Sequence, residues 1–364
     1  MLHDLDESLH HQTSRPVRLA ATSDHRFYDR YWFEGIAPDG DVLVIAGLAI
    51  YRNTGMCDGF VSVQRDLRQT NVRFARPLAD DLASRVGSLA VDVVDPFRHL
   101  SIVLEAGDHP LAAQLAWRSD QMPHLEQPTV RVEGGRITQD SSRYGQLGTL
   151  DGWLQVDGER IAVDQWWAVR DHSWGVRPGV GGFELPAAGP GSSMHLWTYA
   201  SAGPMSVHFQ QMEDGTGEVG YLDGAVTVTG EPGPDPVLRV DHDITFVPDT
   251  REWQMLQYVL TTAAGRVVRV DAEAVQRAWA YRGTGYSGGY DDRRGLGAPR
   301  PDTVEWDVLD LATPGDVRRD GDPYPPGHRE QPARVTIDGV VGFGHVAIIT
   351  SGTIPRYGLV PRRR

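Results

Sequence analysis

Residues that can do chemistry are concentrated in one run in the middle of the chain, residues 166–177, with the sequence WWAVRDHSWGVR. The run holds three tryptophans, two arginines, one aspartate and one histidine. A charged group beside large aromatic rings loses hydration, so it must find a partner or change its pKa, and both outcomes are common at functional sites. We therefore expect the functional site to include this run.

An extended conformation would divide the run into two faces, because side chains alternate along a strand. Asp171 then shares one face with Trp167, while His172 shares the other with Arg170 and Trp174. The apolar neighbours on the first face predict that Asp171 keeps a proton and serves as a general acid. On the second face a nearby cation favours a neutral His172 imidazole.

A purely structural interpretation of the run stays open. Arg170 or Arg177 could pair with Asp171 as a buried bridge that fixes the geometry between two domains, with the tryptophans as core filler. In the catalytic interpretation, Arg177 instead orients Asp171 for proton transfer.

Polar and aromatic side chains also alternate on the predicted strands that follow. His195 and Trp197 share a face, as do His208 and Gln210 on the next strand. We expect His195, Trp197 and Gln210 to contact a substrate, and His172 or His208 to position water or accept a proton. The three histidines could come together on a metal, but no ligand spacing supports such a site, and we predict none.

Two residues far from the run are further candidates. Glu34 follows three aromatic residues at 31–33 and is either a second acid or substrate contact, or a solvated rim residue. His345 follows a Gly-Phe-Gly sequence that suggests close backbone approach, and it either faces a cavity or is a satisfied core histidine. The single cysteine, Cys57, lacks a placed histidine and is not assigned as a nucleophile.

The elements that must position these residues are predicted to be strands. The chain has 41 glycines and 24 prolines, and the segments between them are short, with β-branched and aromatic residues alternating with polar ones. Only residues 78–89 and 111–117 suggest short helices. No strand-helix-strand rhythm occurs, which favours an all-β fold of antiparallel sandwiches or barrels over a doubly wound nucleotide-binding fold.

Composition divides the chain into a polar tail at 1–20 and two domains at 21–180 and 181–364. The boundary is a Pro- and Gly-rich break at 178–193, which would place the end of the tryptophan-rich run at the interdomain seam, a favoured place for ligand pockets. Residues 281–301, rich in Gly, Tyr, Arg and Asp, are predicted to form a lid or a plain surface loop.

The net charge of -14 opposes binding to nucleic acids or anionic lipid surfaces, so neither is expected as a partner. One cysteine fits a reducing compartment, and no signal-like or membrane-spanning apolar stretch occurs, which predicts a cytoplasmic protein without membrane insertion. The phosphate loop, the Gly-x-Gly-x-x-Gly turn and the Gly-x-Ser-x-Gly elbow are all missing, which leaves cofactor-free acid–base chemistry or plain binding.

Residues 144–152, 156–158 and 170–177 resemble the signature of bacterial proteins related to the hydroxyneurosporene synthase and AttH-like group. Carotenoid 1,2-hydratases, kievitone hydratase and the lipocalin-like fungal Diels-Alderases belong to the same structural set. The resemblance implies two consecutive lipocalin-like β domains. It also implies a proton-donating aspartate in the tryptophan-rich segment, here Asp171. His345 stands where those proteins often have an acidic residue, so no shared role is carried over to it.

These observations predict an enzyme that encloses a hydrophobic small molecule, terpenoid, steroid-like or polyketide, between or within two lipocalin-like domains. The reaction would be hydration, dehydration or cyclisation. Asp171 would protonate an alkene or a hydroxyl leaving group, and Trp167 and Trp174 would stabilise positive charge through their ring faces. The alternative function is a non-catalytic carrier of an apolar ligand, whose cavity needs no ionisable group.

Overall fold

The computed structural model describes residues 4–7, 9, 11–79, 82–183, 191–327 and 330–361. These residues form antiparallel strands joined by short turns, with 3₁₀ helices at Asp4–Glu7, Tyr281–Thr284 and Pro355–Tyr357. The all-β fold predicted from the alternating sequence is therefore confirmed. Residues 184–190 of the predicted linker lie outside the described residues.

The first twelve strands form most of a large curved sheet. They are β1 (Phe27–Ile36), β2 (Val42–Tyr51), β3 (Met56–Arg65), β4 (Arg68–Pro77), β5 (Arg85–Val86), β6 (Leu89–Asp95), β7 (His99–Leu104), β8 (Leu111–Arg118), β9 (His124–Leu125), β10 (Thr129–Glu133), β11 (Arg136–Val156) and β12 (Glu159–Val176). Their order is β4-β3-β2-β1-β12-β11-β8-β7-β6-β5, with β9 and β10 paired to β11. The tryptophan-rich run thus lies on β12, between β1 and β11.

The remaining strands are β13 (Ser193–Ala202), β14 (Met205–Asp214), β15 (Val219–Val228), β16 (Asp235–Phe246), β17 (Trp253–Thr262), β18 (Val267–Ala274), β19 (Thr303–Thr313), β20 (Asp316–Arg319), β21 (Asp322–Pro323), β22 (Glu330–Ile337) and β23 (Val340–Ser351). Strands β13–β18, β22 and β23 close an eight-stranded barrel. Between β18 and β22 the chain leaves the barrel, and β19 pairs with β4 at the edge of the first sheet. We retain the division at residue 180 as a proposal, with residues 303–323 placed in the first sheet.

Alternation along the strands explains how the sheet and the barrel each bury a core. On the concave side of the sheet, Val72, Trp117 and Trp166 belong to one apolar cluster drawn from strands far apart in the sheet order. The barrel has its own interior cluster, which includes Phe209 and Tyr258. The opposite face of β12 is also buried, since the outer face of the sheet packs against the outer face of the barrel.

One predicted helix, at 111–117, is wrong, because Leu111–Arg118 forms β8. Its alanines and leucines favour a helix locally. However, Leu111, Leu115 and Trp117 all point into the concave core from a strand, and this packing overrides the local preference. In the other predicted helix, residues 85–86 form β5 and residue 89 begins β6, while residues 80–81 lie outside the described part of the chain.

Residues 281–301 are neither an open lid nor a plain surface loop. Trp279, just before the segment, and Tyr281, Tyr286 and Tyr290 within it are buried in the apolar cluster between sheet and barrel. The Tyr290 hydroxyl donates a hydrogen bond to the backbone oxygen of Phe74, at 2.8 Å. The segment therefore fills the seam and fixes one wall of it. In the part of the chain that the structure describes, no helix is long and apolar enough to cross a membrane.

Candidate functional site

The seam between sheet and barrel is built from the outward-facing residues of both. Trp32, Asp171 and Gly145 lie in one row across β1, β12 and β11. Opposite them, Trp197 and Tyr199 face outwards from β13. A Cβ atom on Gly145 would lie 2.0 Å from the Tyr199 hydroxyl, so only glycine allows the two surfaces to come this close.

A cavity of about 300 Å³ lies in this seam. The sheet contributes Arg30, Asp171 and Arg177 to its lining, the barrel contributes Trp197 and Glu330, and the segment between β18 and β22 contributes Tyr281, among others. Three separate parts of the chain thus supply the charged and aromatic groups of one enclosure. Clefts between two packed layers of a protein are common ligand sites.

Asp171 is almost fully buried and has two cationic neighbours. Its Oδ2 atom lies 3.5 Å from Arg30 Nη2 and 3.5 Å from Arg143 Nε. These arginines come from β1 and β11, the two strands that flank β12. Both lie opposite Ser173 of β12, two residues along the strand from Asp171. Asp171 was predicted to have apolar neighbours on the basis of its own strand, but its nearest charged neighbours are two arginines from the adjacent strands. Its ion-pair partners are Arg30 and Arg143, and neither Arg170 nor Arg177 bridges to it.

Behind Arg143 lies Glu126, a buried carboxyl that was not among the residues predicted for the site. Trp197 Nε1 donates to Glu126 Oε1 at 3.0 Å, the Tyr199 hydroxyl donates to the same oxygen at 3.3 Å, and Arg143 Nη1 lies 3.9 Å from Oε2. Burial raises the pKa of Glu126, while the charge of Arg143 and the Trp197 hydrogen bond oppose the rise. Burial also raises the pKa of the Tyr199 hydroxyl well above its usual value.

A second polar chain joins Glu34, on β1, to the cavity. Glu34 Oε2 lies 2.7 Å from His345 Nδ1, both side chains are fully buried, and Trp279 Nε1 donates to Glu34 Oε1 at 2.6 Å. His345 Nε2 lies 3.4 Å from Glu330 Oε2, which also accepts a hydrogen bond from the Tyr281 hydroxyl. Burial lowers the pKa of His345, but the charge and hydrogen bond of Glu34 and the charge of Glu330 outweigh it, so the pKa is raised.

The other face of β12 points away from the cavity. His172 Nε2 contacts Asp29 at 2.7 Å, and its Nδ1 contacts the Tyr144 hydroxyl at 3.0 Å, with the Trp174 ring 5.5 Å away. Arg170 points into the concave core, where its guanidinium lies 4.6 Å from the Trp117 ring. The expected alternation is observed, and it separates His172 and Trp174 from Asp171.

Trp167 shares the Asp171 face but lies outside the cavity, and its Nε1 donates to Ser201 Oγ at 2.9 Å. His208 also lies outside the cavity lining. Its ring stacks on Tyr199 and lies 3.9 Å from the ring of His124, which pairs with Asp223 at 2.9 Å. Burial, followed by the charge of His124, lowers the pKa of His208 well below its usual value.

His195 and Gln210 do line the cavity beside Trp197, and His195 Nε2 is hydrogen-bonded to Gln210 Nε2 at 2.9 Å. The structure therefore brings Asp171, Arg177, His195, Trp197 and Gln210 into one enclosure. Within the described ranges, no group of three His, Cys, Asp or Glu side chains is arranged to hold a metal ion.

Sequence reasoning missed Arg30, Arg143, Glu126, Tyr281 and Glu330. Each lies on an element other than β12, so alternation within one strand could not relate it to Asp171. One usable signal was present in the sequence, the aromatic and charged residues of 281–301, which were predicted to form a lid or a plain surface loop.

Known structures and sequences place this fold. Twelve chains among the solved structures are similar to this one. One is the crystal structure, at 2.00 Å resolution, of a candidate AttH protein from Nitrosomonas europaea. It matches with a TM-score of 0.54 at 12% sequence identity, and the match covers 93% of this chain and 98% of that one. At this identity the likeness shows the fold alone, and it confirms the AttH-like architecture.

None of the proteins with a curated description matches the sequence. A family model does match, over residues 2–297, which is well over half of the chain. The chain therefore belongs to the family of unknown function DUF8625.

Proposed function

We propose that this protein is an enzyme that performs acid–base chemistry, a hydration, dehydration or cyclisation, on a small molecule enclosed in the seam cavity. One observation carries the proposal: two carboxyl side chains, Asp171 and Glu330, line the same aromatic-walled cavity. A carrier of an apolar ligand gains nothing from buried carboxyl groups, whose desolvation must be offset by arginines and hydrogen bonds. An acid–base enzyme requires such groups beside its substrate.

Glu330 is the group best placed to deliver a proton. The raised pKa of His345 means that this imidazole holds a proton more readily than usual, between Glu34 and Glu330. Glu330, whose carboxyl faces the cavity beside the Tyr281 hydroxyl, lies 3.4 Å from His345 Nε2 in an ion pair without a hydrogen bond, so transfer of the proton to Glu330 requires the two groups to move closer. Glu330 can then donate it to an alkene carbon or to a departing hydroxyl group.

Asp171 takes the complementary role. Its Oδ2 atom lies 3.5 Å from both Arg30 Nη2 and Arg143 Nε at the cavity wall, and we propose that this carboxyl accepts the proton that the reaction releases. Trp32 and Trp197, which line the same cavity, present aromatic rings that favour a cationic carbon. We thus assign donation to Glu330 and acceptance to Asp171, a change from the role that the resemblance implied for Asp171.

The cavity volume bears on the substrate. A space of about 300 Å³ is at the lower end of small-molecule sites. It favours a compact terpenoid, ring system or short polyketide over an extended carotenoid. The AttH-like fold is compatible with this chemistry, since the sequence resembles a group that contains hydratases.

The experiment compares extracts of source cells before and after incubation with the purified protein, by mass spectrometry. A hydratase or dehydratase changes one compound by the mass of one water molecule, and a cyclase changes retention without a change in mass. Asp171→Asn and Glu330→Gln are each expected to abolish the conversion. The matched control is Asp151→Asn, which removes a carboxylate of β11 that bonds Gln165 outside the cavity.

Enrichment of an unchanged apolar compound on the wild-type protein, with no conversion, would support the carrier function instead. Circular dichroism of each variant separates the catalytic from the structural role. If Asp171→Asn unfolds while Glu330→Gln stays folded and fully active, Asp171 is a structural bridge and the acid–base proposal fails.

A further inference from the structure

Arg177 lies where β12 leaves the seam, and it differs from the other arginines of the cavity. Its guanidinium carbon lies 5.4 Å from the centre of the Tyr28 ring and 5.5 Å from that of Tyr286. Tyr28 comes from β1 and Tyr286 from the segment that fills the seam. Rings from two separate elements thus flank one guanidinium at the cavity wall.

The Arg177 donors have no acceptor in the described part of the protein. Across the residues that the structure describes, neither a carboxylate nor a hydrogen-bond acceptor pairs with its guanidinium, whereas Arg30 and Arg143 share Asp171. A guanidinium carries five N–H donors and keeps its charge in proteins. Burial and the charges of Arg30 and Arg143 lower the pKa of Arg177, while Tyr28 opposes them.

The cavity wall as a whole has more donors than acceptors. Arg30 Nε and Trp32 Nε1 are buried nitrogens without a hydrogen-bond partner, and Arg143 Nε has only its 3.5 Å ion-pair contact with Asp171. Four arginines line the cavity, Arg131 among them, against the two carboxyl groups of Asp171 and Glu330. Unsatisfied buried donors are rare in proteins, and those at a cavity point to a ligand that supplies the acceptors.

We propose that Arg177, between Tyr28 and Tyr286, binds a carboxylate group of the ligand, so that the substrate is a small organic acid with an apolar body. The planar guanidinium matches a carboxylate with two parallel hydrogen bonds. The apolar body would lie against Trp32 and Trp197, in the direction of Asp171 and Glu330. This inference rests on the proposed function for the choice of cavity, and it adds the substrate class.

The test measures binding by isothermal titration calorimetry, without any turnover. The probes are phenylacetate, cinnamate and 4-phenylbutanoate, each compared with its neutral amide. We expect at least one acid to bind at least tenfold more tightly than its amide. Arg177→Gln should lower the affinity for that acid at least tenfold, because one charge-assisted pair of hydrogen bonds is lost. The affinity for the amide should not change. Arg177→Lys, which keeps the charge but not the fork, should give an intermediate affinity.

Arg160→Gln is the matched control, since Arg160 also lies over an aromatic ring, that of Trp153 at 3.9 Å, and does not line the cavity. Arg177→Gln removes a charge that has no carboxylate partner among the described residues, so it should fold and unfold like the wild type.

Equal affinities for every acid and its amide, or unchanged acid binding by Arg177→Gln, would overturn the inference. Displacement of the acid by inorganic phosphate at an equal concentration would also overturn the inference, since it would identify a compact oxyanion as the ligand. Acid binding that survives in a catalytically dead Asp171→Asn variant shows that the carboxylate site stands on its own. Conversion of neutral compounds alone, unaffected by Arg177→Gln, would leave the proposed function intact and remove the inference.

Discussion

Glu34→Gln tests the buried contact by which β1 of the sheet meets β23 of the barrel. Glu34 and His345 are both fully buried, with 2.7 Å between Oε2 and Nδ1. Breaking a buried ion pair by neutralising one partner costs about 3–5 kcal/mol. Glutamine keeps the size of the side chain and can still accept the Trp279 hydrogen bond. We therefore expect a loss near the lower limit, about 3 kcal/mol of unfolding free energy at pH 6.

The stabilisation by the Glu34–His345 pair should depend on pH. His345 has a pKa raised in the folded protein above its unfolded value of 6.5. The stabilisation by the charged pair is therefore fully present below pH 6.5 and is lost as the pH rises through the raised pKa. The difference between wild type and Glu34→Gln should be largest at pH 6 and clearly smaller at pH 9.

The assay is urea unfolding at pH 6 and at pH 9, followed by tryptophan fluorescence. Glu159→Gln is the control, because Glu159 pairs with Arg65 at 2.8 Å on the surface, where ion pairs contribute about 0–1 kcal/mol. A loss below about 1 kcal/mol at pH 6 for Glu34→Gln would refute the importance of the pair. Equal losses at both pH values would refute its ionic character.

Two further predictions concern other buried groups. Burial raises the pKa of Asp58 from 3.8 to about 6. This shift is equivalent to about 3 kcal/mol of unfolding free energy, which is lost as the pH rises from 3 to 7. Asp58→Asn should flatten that part of the pH profile in urea unfolding, and a profile parallel to that of the wild type would contradict the assignment. Gly145→Ala places a Cβ atom 2.0 Å from the Tyr199 hydroxyl and should cost about 1–3 kcal/mol in thermal unfolding, whereas Gly220→Ala, which meets open space, should be neutral. The same Cβ atom would lie 2.3 Å from Tyr199 Cζ, so the rescue variant is Tyr199→Leu, which removes the ring edge with the hydroxyl. Partial rescue of Gly145→Ala by Tyr199→Leu would identify the Tyr199 contact as the cause, and no rescue would refute it.

The sequence was sufficient for the fold class and for the two faces of β12. Alternation correctly separates Asp171 from His172, because a strand has only two faces. It could not tell which face meets a cavity, since the sheet buries one face in its own core and the other against the barrel. A single strand also carries no information about its neighbours, so Arg30 and Arg143 were not predicted as the partners of Asp171.

Two other differences have physical causes of the same kind. β8 resembles a helix in composition, but packing inside the curved sheet selects the strand. Residues 281–301 look polar and flexible in sequence, yet their tyrosines lie in the seam with hydroxyl groups hydrogen-bonded to the protein. In both cases long-range contacts, which a local pattern does not contain, decide the outcome.

The departure of the chain from the barrel between β18 and β22 has a consequence for folding. The two strands are neighbours in the closed barrel, yet more than fifty residues separate them, and those residues supply β19 as the partner of β4. A fragment ending near residue 180 would leave β4 as a bare edge, open to pairing between molecules. The barrel, for its part, cannot close until this long excursion has returned, which is a slow, high-contact-order event. The sheet and the barrel are therefore interleaved along the chain, and we expect them to fold together and to unfold together.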